Sequence, residues 1–145
     1  MKQMLCIPAL IMLLGLSTGA VAEKIKCTTQ GAKTFTVDLP QGWTSKHIAG
    51  GCAVAKKDGS QFIGVAYYNA GGLNAKNFAK EMCAALKVTP EYTKQEDDYV
   101  SMNVTVNGSF VTISIVSGET ETVQVVISKP DDSAELDAIF DSVNF

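Results

Sequence analysis

YVSMNVTVNGSFVTISIV, residues 99–116, alternates apolar and polar side chains on both sides of an Asn-Gly pair. This period of two is typical of a β-strand that buries one face. Asn107-Gly108 favours a two-residue hairpin turn, because both turn positions need a positive φ angle. A third alternating segment follows after a short gap. We therefore expect an antiparallel meander of three strands, which are Tyr99–Val106, Ser109–Val116 and Glu121–Ser128.

The preceding half of the chain carries the same signals. Phe35, Val37 and Leu39 alternate with polar residues until Pro40 and Gly42 end the segment. Residues 52–55 and 61–68 are two further predicted strands, joined at an Asp58-Gly59 hairpin. A short polar strand is expected at 92–95.

Two helices separate and close these strands. Asn74 is an N-cap candidate, and the apolar residues that follow it recur at helical spacing to about Lys87. The stretch Pro130-Asp131-Asp132-Ser133 is predicted to end the last strand and cap a final helix, whose inward residues would be Leu136, Ile139, Phe140 and Val143. The order of strands, helix, strands, helix predicts an α+β domain in which two helices cover an antiparallel β-sheet.

Residues 1–22 have the pattern of a cleavable signal peptide. Lys2 precedes an apolar run, Met4–Leu16, and Ala20-Val21-Ala22 forms a small-residue cleavage site. The run is shorter than the ~18 residues that suggest a membrane span. We expect cleavage near Ala22, a secreted or periplasmic location, and a single soluble domain over residues 23–145 with no transmembrane segment.

Composition excludes several classes of function. Without Lys2 the chain has 11 lysines, no arginine and 15 acidic residues, a net charge of −4. A mildly acidic chain lacks the basic patch that is typical of nucleic-acid-binding proteins. His47 is the only histidine and no G-x-S-x-G motif occurs after the predicted signal peptide, so we predict no catalytic residue, no metal site and no cofactor.

Three cysteines remain after signal cleavage, because Cys6 leaves with the signal. In an oxidising compartment, Cys27, Cys52 and Cys83 predict one disulfide and one spare thiol. Cys83 lies at the margin of the inward face of the first helix, where it could meet a strand residue. We therefore favour Cys52 with Cys83 and leave Cys27 spare, although the other two pairings stay open.

A recognition surface is expected near the consecutive tyrosines Tyr67 and Tyr68, since one of them must face outward on a strand. The glycine-rich loop that follows supports this expectation, because loops beside exposed aromatic side chains often carry recognition. Trp43 either joins this surface or closes one end of the core. The candidate residues are Trp43, Tyr67, Tyr68, Asn69, Gly71 and Gly72.

Several segments together resemble the PsbP-like fold shared with DcrB-type periplasmic lipoproteins. They are FTVDLPQGW at 35–43, both Gly-containing hairpins, the helix between them and LDAIFDSVNF at 136–145. The resemblance covers residues 33–145 and implies a layered α+β domain. It implies a binding or assembly module and supplies no common catalytic residues. The chain differs from the DcrB type in lacking a lipid-bearing cysteine after the signal.

These observations predict an exported, non-enzymatic binding or assembly module of the bacterial envelope. Its partner would be a protein or another envelope component, and the sequence leaves the oligomeric state open. An immunity or inhibitor protein that neutralises a toxin or enzyme is the alternative hypothesis. A small thiol-dependent enzyme that uses the spare cysteine is the third, and the absence of catalytic motifs disfavours it.

Overall fold

The computed structural model of the protein describes residues 23–118, 121–130 and 133–145. The predicted signal peptide, residues 1–22, lies outside these ranges. The described elements follow in chain order: β1 (Glu23–Thr28), β2 (Thr34–Leu39), β3 (Trp43–Ile48), β4 (Gly51–Lys56), β5 (Phe62–Asn69), α1 (Ala75–Leu86), β6 (Glu91–Gln95), β7 (Tyr99–Val106), β8 (Ser109–Ser117), β9 (Thr122–Ser128) and α2 (Ala134–Asp141).

Seven strands form the main sheet in the order β3-β4-β5-β9-β8-β7-β6, and every neighbouring pair is antiparallel. The predicted α+β class with antiparallel pairing and two helices is therefore confirmed. The central meander lies where the sequence placed it, and Asn107 has the positive φ (49°) that the hairpin turn requires.

Two strands, β1 and β3, escaped prediction. Strand β1 has the sequence EKIKCT, in which charged side chains surround a single fully buried residue, Cys27. Strand β3 has the sequence WTSKHI and lies at an edge of the main sheet, where only Trp43 is buried. An edge strand needs little apolar surface, so neither segment shows a strong alternation.

The two faces of the main sheet are covered by different layers, and each layer lies over a different half of the sheet. Helix α1 packs over β7 and β8, where Ala75, Ala79 and Cys83 meet Val100, Met102 and their neighbours. The β1–β2 hairpin and α2 lie on the opposite face, over β4 and β5. The sheet therefore separates two hydrophobic cores, and each layer leaves part of its face uncovered.

The disulfide joins Cys27 to Cys52, with their Cα atoms 5.6 Å apart, which corrects the expected pairing of Cys52 with Cys83. Cys52 belongs to the core under the β1–β2 hairpin, whereas Cys83 belongs to the core under α1. The sheet stands between them. Sequence spacing placed Cys83 on the correct side of its helix but could not tell which face of the sheet that helix covers.

Capping confirms both predicted helix starts. The Asn74 side chain accepts a hydrogen bond from the backbone N–H of Asn77, and the Ser133 hydroxyl accepts one from Leu136. One inward residue of α2 was predicted wrongly, because Phe140 lies on a flank and is partly exposed while Leu136 and Ile139 are buried. No helix of the described residues is long and apolar enough to cross a membrane.

Candidate functional site

Trp43 is part of a core and lies far from the predicted loop surface. Its side chain is only 5% exposed, and the ammonium group of Lys56 lies 5.9 Å from the centre of its ring. Trp43 pairs with Lys56 at one end of β4, whereas Gly51 at the other end pairs with Ala66, beside the tyrosines. The structure therefore places Trp43 at the end of the core, and it does not join the two tyrosines.

Tyr67 and Tyr68 point to opposite faces of the sheet, as consecutive strand residues must. The Tyr67 ring packs edge-on against Phe35 and Phe145, at centroid distances of 5.1 and 5.0 Å. Its hydroxyl accepts a hydrogen bond from the Gln124 amide at 2.8 Å, and partial burial raises the pKa of Tyr67 above its usual range. Tyr67 is therefore held in place by its neighbours.

Tyr68 stacks near Phe78 of α1 and donates a hydrogen bond to the carbonyl of Ala49 at 2.8 Å. Burial raises the pKa of the Tyr68 hydroxyl as well. The loop that follows is exposed at Asn69, Gly71 and Gly72. The exposed part of the predicted surface is therefore limited to these loop residues, because the rings of both tyrosines pack against other side chains.

A larger surface lies on the side of β7, β8 and β9 that faces away from α1, and we call it the open face. The alternate residues of these strands fill the core under α1, so the intervening residues point to the open face. The three strands contain no charged residue. The open face consists of Tyr99, Ser101, Asn103, Thr105, Phe110, Thr112, Ser114, Val116, Gln124, Val126 and Ser128.

Strand register arranges these residues in cross-strand rows. The rows are Tyr99–Val116–Gln124, Ser101–Ser114–Val126 and Asn103–Thr112–Ser128. Neighbouring side chains within a row are ~5 Å apart, and successive rows are ~7 Å apart along the strands. The open face is therefore a regular surface in which hydroxyls and amides alternate with apolar side chains.

Four of the five large hydrophobic residues exposed in the described chain belong to the open face or its border. Phe110 (53% exposed) and Val116 (37%) lie on β8. Phe145 (66%) packs on Tyr67, whose hydroxyl meets Gln124 of the open face. Exposed apolar residues concentrated on one side of a protein are a feature of interaction sites.

Phe140 (37% exposed) is the fourth. Two contacts made by other residues of α2 and its C-cap show which way the Phe140 side chain points. Glu135 forms an ion pair with Lys56 of β4 at 3.0 Å, and the Ser142 hydroxyl accepts a hydrogen bond from the backbone N–H of Asp38 in β2. At ~100° per residue, Glu135 and Ser142 lie on one flank of α2 and Phe140 on the other. Phe140 therefore borders the open face, on the side away from β2 and β4.

The opposite border of the open face is the edge strand β6. The Lys94 ammonium group lies 5.4 Å from the centre of the Tyr99 ring and 3.7 Å from a carboxylate oxygen of Glu96. Strand β6 also has an irregular register between Tyr92 and Lys94. Charged side chains and a bulge protect this edge against pairing with a further strand. A partner would therefore contact the face of the sheet here and not its edge.

Two observations on the described residues concern metal binding and thiol chemistry. They contain no group of three or more His, Cys, Asp or Glu residues that could hold a metal ion. The Cys83 thiol is buried beside the Met102 sulfur at 3.6 Å, and burial raises its pKa, which lowers the fraction of nucleophilic thiolate. The geometry of the open face is suited to binding.

Sequence reasoning missed the open face although its signal was present. The alternation of residues 99–116 shows which side chains face out, and every one of them is uncharged. An outward strand face without lysine or glutamate is unusual in a chain that is 19% charged. Neither a family model nor a curated protein matches this chain.

Proposed function

We propose that this protein is an exported, non-enzymatic binding module of the bacterial envelope, and that it binds its partner through the open face. The observation that carries the proposal is the position of Phe110, Val116, Phe140 and Phe145 on or beside the open face, whose strands carry no charged residue. The open face is the larger of the two candidate surfaces, and the 69–72 loop is the smaller.

The rest of the molecule supports a rigid platform. The sheet carries a core on each face, and the Cys27–Cys52 disulfide attaches the β1–β2 hairpin to β4. Binding surfaces on rigid elements lose little conformational entropy when they meet a partner. A cystine also fits a protein that works in an oxidising compartment.

The remaining part of the α1 side is less suited to binding because its own side chains fill it. A Cβ atom placed on Gly64 would lie 2.9 Å from the Ile127 Cγ2 methyl and 3.6 Å from the Ile48 Cδ1 methyl. The two isoleucines therefore close over Gly64. Leu86 (47% exposed) is the one large apolar residue exposed on α1 among the described residues.

Photo-crosslinking in the envelope tests this proposal. A benzophenone amino acid is placed at Val116, and a matched variant carries it at Leu86, which is exposed on α1. We expect a discrete crosslinked product from position 116 and none from position 86. Crosslinks from position 86 alone, or from a third probe at Gly71 alone, would move the binding surface away from the open face.

A further inference from the structure

We infer that the occupant of the open face is a neutral oligosaccharide chain. The inference deepens the proposed function and rests on it, since it names the class of ligand for the same surface. Three properties of the open face lead to it: the absence of charge, the unpaired hydroxyl groups and the exposed aromatic rings at both ends.

Charge is the first argument. Strands β7, β8 and β9 carry no charged side chain, and the ammonium group of Lys94 at the border is already engaged by Tyr99 and Glu96. A charged ligand on this surface would lose its hydration and gain no counter-charge. The open face therefore favours an uncharged ligand.

Unpaired polar groups are the second argument. Within the described part of the chain, the hydroxyls of Ser101, Ser114 and Ser128 have no hydrogen-bond partner in the protein, and Thr112 donates to the Asn103 side-chain oxygen at 2.8 Å, which leaves the Asn103 amide N–H groups free. A lipid or a purely apolar partner would bury these groups without hydrogen-bond partners, which is unfavourable. The ligand should therefore carry many hydrogen-bonding groups.

Aromatic rings are the third argument. Phe110 lies at one end of β8, and Phe145 lies beyond Gln124 near the other end. Along the strand the two ends are ~20 Å apart, which is long enough for several sugar rings. Pyranose rings present flat C–H faces that pack on exposed phenyl rings, while their hydroxyls pair with neutral side chains. A neutral glycan combines all three requirements.

A second copy of this chain fits less well. Stacking two open faces would bring the raised α2 layer of one copy over β7 and β6 of the other. That layer presents Glu135, Asp137 and Asp141. Asp137 and Asp141 would then face strands whose one lysine, Lys94 of β6, is already paired with Glu96, which costs more than it stabilises.

Isothermal titration of the purified protein tests the inference. The probes are chitohexaose, cellohexaose and maltohexaose, with hexagalacturonate as an anionic control of the same length. We expect at least one neutral hexamer to bind with a dissociation constant below ~1 mM and hexagalacturonate not to bind. Val116→Lys should weaken that binding at least ~10-fold, and Leu86→Lys should leave it unchanged. Ser114→Asp is a second open-face variant, and thermal melting confirms that each variant is folded.

The outcomes separate the two proposals. If no neutral hexamer binds, or if Val116→Lys and Ser114→Asp bind the hexamer as the wild type does, the oligosaccharide inference is overturned. In either case the open-face crosslink from position 116 still decides the proposed function by itself. A crosslinked protein at position 116 together with no saccharide binding would make the occupant a protein.

Discussion

Cys27 of β1 is bonded to Cys52 of β4, and this bond links the two-stranded sheet to the strand next to the β3 edge of the seven-stranded one. Both residues are almost fully buried, and Phe35 and Val37 of the same hairpin are buried beside them. The β1–β2 hairpin therefore covers the core that contains Cys27 and Cys52. Packing and a covalent bond hold the hairpin in this position. Its position leaves β7 and β8 uncovered, whereas Val126 of β9 packs against this core, so the hairpin also defines one side of the open face.

Removal of the disulfide should destabilise the protein. The bond spans 25 residues, and loop closure of that length contributes ~3 kcal/mol in the chain-entropy account. We expect the double variant Cys27→Ala, Cys52→Ala to lose ~2–4 kcal/mol in the free energy of unfolding, measured with urea. A loss as small as that of a surface substitution would contradict the role of the bond in fixing the hairpin.

Thiol titration should separate the three cysteines. For the mature chain, without residues 1–22, we expect one free thiol per unfolded molecule before reduction and three after it. In the folded protein Cys83 should react slowly with a thiol reagent, because it is buried and its pKa is raised. Because its pKa is raised, the Cys83 thiol stays protonated to a higher pH. Its rate of reaction with the reagent should therefore rise only at a higher pH than that of a free cysteine. Rapid reaction in the folded protein near neutral pH would contradict this placement.

Gly51 should tolerate no side chain. A Cβ atom at this position would overlap the backbone carbonyl of Val65 on the neighbouring strand. We expect Gly51→Ala to destabilise the protein by more than ~2 kcal/mol. Gly31→Ala is the matched control, because the nearest atoms to its Cβ are at 3.7 and 3.9 Å. Equal stability of the two variants would show that β4 and β5 are not paired in this register.

Trp43 should matter for stability and not for binding. Its burial predicts that Trp43→Ala costs ~3–5 kcal/mol, while iodide should quench the wild-type fluorescence only weakly. Trp43 lies at the far end of β3 and is not part of the open face. A variant that folds and loses partner binding as Val116→Lys does would restore Trp43 to the recognition surface.

The elements of this fold were predictable wherever one residue type fixed a local conformation. Asn107-Gly108, the Asn74 cap and the Ser133 cap all lie at the expected positions. Strands β1 and β3 were not predictable, because a strand at an edge or in a separate hairpin is stabilised by tertiary contacts and shows little alternation of its own.

The candidate site was less predictable than the fold. Its strands and the outward direction of Ser101, Asn103 and Ser114 follow from alternation alone. Alternation does not show which face the hairpin and α2 cover, since either face of an antiparallel sheet can be covered. For the same reason the sequence could not choose between Cys27 and Cys83 as the partner of Cys52.

Capture of the envelope partner by immobilised protein tests the central claim most directly. Wild type, Val116→Lys and Leu86→Lys are compared at equal density, since both substituted residues are exposed and each variant gains one positive charge. We predict that Val116→Lys retains less than ~10% of the bound partner, a loss that corresponds to ~1.4 kcal/mol or more, and that Leu86→Lys retains all of it. Equal retention by the two variants, or loss confined to Leu86→Lys, would contradict the assignment of binding to the open face.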